Sequence, residues 1–111
     1  MDYQTTIAGN TTGSGVKIAA PDAIRHDRWF ATIFTTGTFG GATVAYFLSP
    51  DNGTTLVPAK TDAGVAYTTA IADAQNITTG FSRNAINKIS LWAQVTGGTA
   101  NTINITVFDN A

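Results

Sequence analysis

Near the C-terminus, Ile89, Leu91, Ala93 and Val95 alternate with Lys88, Ser90, Trp92 and Gln94. A few residues later, Ile103, Ile105 and Val107 alternate with Thr102, Asn104 and Thr106. A period of two puts one set on each face of a strand, so both runs are strands with a single buried face. Gly97-Gly98-Thr99-Ala100 separates them, and the pattern predicts that they pair as a hairpin. A second hairpin is expected where the strand at residues 42–48 meets Ser49-Pro50-Asp51-Asn52-Gly53 and returns at 54–57. Pro50 presets φ for a turn, Asp51 and Asn52 tolerate its tight geometry, and Gly53 supplies positive φ. Residues 29–35 carry Trp29, Ala31 and Ile33 on one face and Phe30 and Phe34 on the other. Such a strand is buried on both sides or turns one face to a partner.

Weaker signals mark short strands at 16–18, 65–71 and 77–81, with single helical turns at 22–27 and 72–75. The first 15 residues are Thr, Gly and Asn anchored by Tyr3 and Ile7. They read as an edge strand, or as an arm that orders on a partner, ahead of a β-sandwich domain at 16–111. Seven to nine short, mostly antiparallel strands at spacings near ten residues predict an all-β single domain, a β-sandwich or jelly roll.

Composition supports that reading. The 111 residues include 20 Thr and 10 Ile but only three Leu and no Glu, a set that favours strands over helices. Apolar residues make up 43%, enough for a core. Charged residues are 12%, against about 25% in an ordinary soluble domain. With net charge −1 and no basic cluster, nucleic acid is not an expected partner. No run reaches the 18 or so apolar residues of a membrane helix, so no membrane partner is expected. The first residues lack the basic start and apolar run of a secretory signal, which predicts synthesis in the cytosol.

Candidate chemistry is sparse. There is no Cys, which removes disulfides, thiolate ligands and Cys nucleophiles. The single imidazole, His26, lies near Asp22 and Asp27, but a metal site needs further converging ligands, and pairing with Arg25 and Arg28 explains the cluster. Ser14, Ser49, Ser82 and Ser90 all stand outside a G-x-S-x-G elbow. The expectation is no enzyme activity, no metal and no cofactor. The aromatics offer more. Trp92 and Phe108 both occupy the polar register of their strands, and if they face outward they form an apolar spot suited to a protein contact or to sugar stacking. With Tyr3 and Ile7 of the opening segment, they are the candidate interface residues.

The run from Trp29 through Gly37-Thr38-Phe39-Gly40-Gly41-Ala42-Thr43-Val44, followed by Ser49-Pro50-Asp51-Asn52-Gly53-Thr54-Thr55 and Pro58, resembles small structural proteins of tailed phages. The pair of runs Ile89-Ser90-Leu91-Trp92 and Ile103-Asn104-Ile105-Thr106-Val107 is similar to their closing hairpin. Length and overall character resemble the capsid decoration (cement or staple) proteins of epsilon-15-like podophages. The resemblance implies a non-enzymatic virion protein on the outer capsid surface, bound to the major capsid protein lattice and stabilising it. It also implies a jelly-roll-like fold and a homo-oligomer, a dimer or trimer. A neck, tail or head-fibre component is the nearest alternative. A carbohydrate-binding module, stacking sugars on Trp92, Tyr46 or Tyr67, is the alternative of a different class.

Overall fold

The computed structural model describes residues 2–20, 28–59, 67–80 and 89–109. The expected helical turn at 22–27, with His26 and its acidic neighbours, lies outside them. The strands are β1 (Asp2–Ala8), β2 (Val16–Ala19), β3 (Arg28–Thr38), β4 (Thr43–Ser49), β5 (Val57–Pro58), β6 (Thr68–Thr69), β7 (Asp73–Gly80), β8 (Ser90–Thr96) and β9 (Thr102–Asp109). All pairings are antiparallel, in one sheet of order β1-β9-β3-β7 and a second of order β2-β8-β4-β5, with β6 also on β4.

The order has a simple logic. β1 pairs with β9, β2 with β8, β3 with β7, and β4 with β5. The chain is thus one long nested ribbon of antiparallel pairs, rolled so that successive pairs fall in alternate sheets. That is a jelly roll, a β-sandwich whose two sheets enclose one core. Ile7, Ile33, Ile103, Ile105 and Val107 enter it from the first sheet, and Ile18, Val44, Tyr46, Leu91, Ala93 and Val95 from the second. In the middle of the core the Thr35 hydroxyl and the Tyr46 hydroxyl bond at 2.7 Å, tying one sheet to the other.

Rolling the ribbon corrects one expectation directly. β8 and β9 do not form a hairpin: they belong to different sheets, and Gly97–Asn101 carries the chain across the core. Their buried faces look at each other through the sandwich. Three such crossings, β1 to β2, β3 to β4 and β8 to β9, meet at one end. There Thr99 N–H donates to the Gly40 carbonyl, Gly9 N–H to the Asn101 carbonyl, and Thr11 N–H to the Val95 carbonyl. The Asn10 side chain takes the Gly98 N–H and donates to the Gly98 carbonyl. Gly40, at φ +57, lies so close to Thr99 that a Cβ would strike its carbonyl oxygen. Gly40 therefore permits the crossings to stack.

Other elements shift in extent. The hairpin after β4 exists, but its return strand is only Val57–Pro58, because residues 51–55 fold back over the sheet instead of extending. The helical turn expected at 72–75 is absent, since β7 begins at Asp73 and pairs along β3. The strand expected at 65–71 is limited, among the described residues, to Thr68–Thr69.

Candidate functional site

Each sheet has an outer face, and the two are finished differently. On the first sheet, the alternation that buries Ala31, Ile33 and Thr35 of β3 turns Thr32, Phe34, Thr36 and Thr38 outward. On β9 it turns out Thr102, Asn104, Thr106 and Phe108. β1 contributes Gln4, Thr6 and Ala8. No described side chain on this face carries a charge. Thr32 stands opposite Phe108 and Phe34 opposite Thr106, so the two phenylalanines are diagonal cross-strand neighbours. Their rings meet edge to face, centroids 5.4 Å apart at 87°. Phe34 is 42% exposed and Phe108 39%. An edge-to-face pair contributes about 0.5–1.5 kcal/mol, but two half-bare rings still leave an apolar spot in solvent.

On the second sheet, Trp92 occupies the equivalent outward register, beside Lys17 of β2 and Phe47 of β4. It is half-buried. Its indole N–H donates to the Ser90 hydroxyl at 2.7 Å, and Ser90 donates on to the Ser49 carbonyl. The turn after β4 lies over the ring. Gly53, at φ +97, packs so close that a Cβ there would sit 2.8 Å from the ring atoms. Several bonds hold the turn in place. The Ser49 hydroxyl accepts the Gly53 N–H at 2.8 Å and donates to Asp51 Oδ1. Asp51 Oδ1 also accepts the Thr55 N–H at 2.7 Å. From β2's side, Lys17 Nζ donates to Asn52 Oδ1 and the Ser14 hydroxyl to the Gly53 carbonyl. Hydrogen bonds from Thr55, and then from Ser49, hold the Asp51 carboxyl below its ordinary value of 3.8.

Trp92 and Phe108 therefore do not form one spot, because they stand on opposite outer faces of the sandwich. Phe108's companion is Phe34, which the strand pattern placed on a two-faced strand without singling out. A diagonal pairing depends on the β3–β9 register, which no local pattern contains. Ile7 is 5% exposed and belongs to the core. Tyr3 packs against the core, and its hydroxyl donates to the Ala20 carbonyl. Tyr46 is 1% exposed, inside the core, and offers no face to a sugar. Val57 and Ile71 are further exposed apolar side chains. Beside Tyr3–Thr5, between β1 and β2, opens a cavity of about 350 Å³ bordered by Lys17–Ala20.

Among the described residues no group of acidic or His side chains is placed to hold a metal, and no helix is long and apolar enough to cross a membrane. No protein-family model matches the chain, and no curated protein matches its sequence. Solved structures similar to it include VP2 of the infectious bursal disease virus subviral particle, at 13% identity and a TM-score of 0.48, over 96% of this chain and 32% of that one. A chain of the infectious bursal disease virus Gx strain structure aligns at 12% identity and TM-score 0.36, over 100% of this chain and 33% of that one. A Bacillus endospore appendage pilus protein aligns at 17% identity and TM-score 0.31, over 96% and 84%. The chain spans about a third of the length of the viral chains it matches.

Proposed function

We propose that this protein is a non-enzymatic structural component of a phage particle that binds the outside of the assembled capsid and stabilises it. The observation that carries the reading is the Phe34–Phe108 pair on a face whose described side chains are uncharged. Aromatic anchors among uncharged described side chains suit a protein contact whose strength depends little on salt. The jelly roll is compatible, being a frequent architecture of viral capsid domains, though it serves lectins and cupins as well. The resemblance of residues 29–58 and 88–108 to tailed-phage structural proteins points the same way. Sugar stacking loses support, since Tyr46 is in the core and Trp92 lies under its own turn.

The test is the copy number of this protein in purified particles of its source phage, followed by rebinding of purified protein to particles stripped of it. Copies commensurate with the major capsid protein are expected. Rebinding of a Phe34→Ser, Phe108→Ser double variant should fall by roughly tenfold or more, about 1.4 kcal/mol. A handful of copies per particle would move the protein to the neck or tail, and absence from the particle would refute a virion role.

A further inference from the structure

We infer that the free edge of β1 is a self-association surface, which joins two copies of this chain through antiparallel β1–β1 pairing about a two-fold axis. The inference stands apart from capsid binding and rests on the direction of the backbone groups.

Gly9 N–H bonds to the Asn101 carbonyl, one step beyond the Ala8–Thr102 pair, so odd-numbered β1 residues exchange hydrogen bonds with β9. The N–H and C=O groups of Gln4, Thr6 and Ala8 therefore point the other way. They lie along the edge of the first sheet and have no backbone partner among the described residues. Exposed edges are usually blunted by charge, proline, a bulge or shortness. In the second sheet the edge strand β2 has four residues, an irregular register between Lys17 and Ala19, and a lysine. β5 has two residues, one of them Pro58. β1 runs through seven residues in unbroken register, and between Tyr3 and Ala8 it carries no charge and no proline.

An unpaired row of alternating donors and acceptors specifies an extended chain as its occupant. The sequence along the edge specifies a second copy, because it is self-complementary. With Thr6 on the two-fold axis, Gln4 faces the second copy's Ala8, Thr6 faces Thr6, and Ala8 faces Gln4. Each pair exchanges both backbone bonds, and no charged side chain opposes another. The axis is perpendicular to the sheet, so the dimer presents two Phe34–Phe108 pairs on one continuous face. Two linked sites bind a repeating surface more tightly than either alone. Edge pairing buries little area, so association in free solution is weak, with a Kd on the order of 0.1–1 mM.

Sedimentation equilibrium of the full chain, taken up to about 1 mM, tests this. The apparent mass is expected to rise from 11.6 kDa toward twice that value, with concentration-dependent exchange protection at the Gln4, Thr6 and Ala8 amides. Thr6→Pro removes an N–H that faces only the free edge, so it leaves the β9 ladder intact. Thr6→Lys sets two like charges opposite each other across the axis. Both variants should weaken the dimer by roughly tenfold or more, and the lysine effect should shrink in high salt. Should the proline variant lose its fold, the lysine variant alone decides. A monomer at every concentration would overturn the inference, and so would a dimer indifferent to Thr6→Lys or protected at Phe34 and Phe108 instead.

Discussion

Trp92 and Phe108 hold matching places, each an aromatic in the outward register of an alternating strand, one on each outer face. Trp92 is covered by its own chain: the turn after β4 bends back, Gly53 seats on the indole, and Ser90 takes its N–H. Phe108 is covered by no described segment and meets edge to face with Phe34, a ring about as exposed as itself. The covering turn is bonded at Ser49, Asp51, Asn52, Gly53 and Thr55. So many local bonds mark Trp92 as part of the folding unit. The bare pair has no such covering, as the proposed contact surface requires.

The contrast breaks most sharply at Gly53. A Cβ there meets the Trp92 ring, and φ +97 is strained for any other residue. Gly53→Val should cost about 3–4 kcal/mol, combining backbone strain with overpacking. In a domain of this size the melting temperature falls by roughly 10–20 °C. Thermal unfolding followed by circular dichroism measures it, and a loss below about 1 kcal/mol would mean that the turn does not hold Trp92 in place.

How much of this was legible in the sequence follows the same division. Period-two alternation identified the buried sets Leu91, Ala93, Val95 and Ile103, Ile105, Val107, because a strand's face is a local property. Which strand lies beside which is a property of the rolled ribbon, and so β8 and β9, expected as a hairpin, stand in opposite sheets. At residues 72–75, Ala-Asp-Ala-Gln has a helical leaning, but Asp73, Ala74 and Gln75 pair with Thr35, Phe34 and Ile33 of β3 and form strand. Tertiary pairing overrode propensity there. The turn at Ser49–Gly53 was readable residue by residue. That it folds over Trp92, about 40 residues further on, was not.

Truncation of the two aromatics compares them directly. Trp92→Ala removes a half-buried ring, its hydrogen bond and the floor of the turn, and should cost about 2–3 kcal/mol, somewhat less than a fully buried tryptophan. Phe108→Ala loses an exposed ring and one edge-to-face contact, and should cost about 1 kcal/mol or less. Chemical denaturation with a shared m-value gives both numbers. Equal losses would erase the distinction between covered and bare aromatics.

The smallest effect is an acid one, confined to the covered side. Because Thr55 and Ser49 bond to the ionised Asp51 carboxyl, its folded pKa lies below the ordinary 3.8. A lowered folded value means that the contribution is present above the unfolded pKa and is lost as pH falls through the folded one. Between neutral pH and about 5, therefore, the turn should be unaffected. Below 3.8, protonation should loosen residues 51–55, and exchange at the Trp92 indole N–H should quicken while the amides of β9 around Phe108 stay protected. Asp51→Asn should show quickened indole exchange already at neutral pH and little further change on acidification. If β9 opens together with the indole, the two faces share one cooperative unit, and the cover over Trp92 is not separable from the sandwich beneath it.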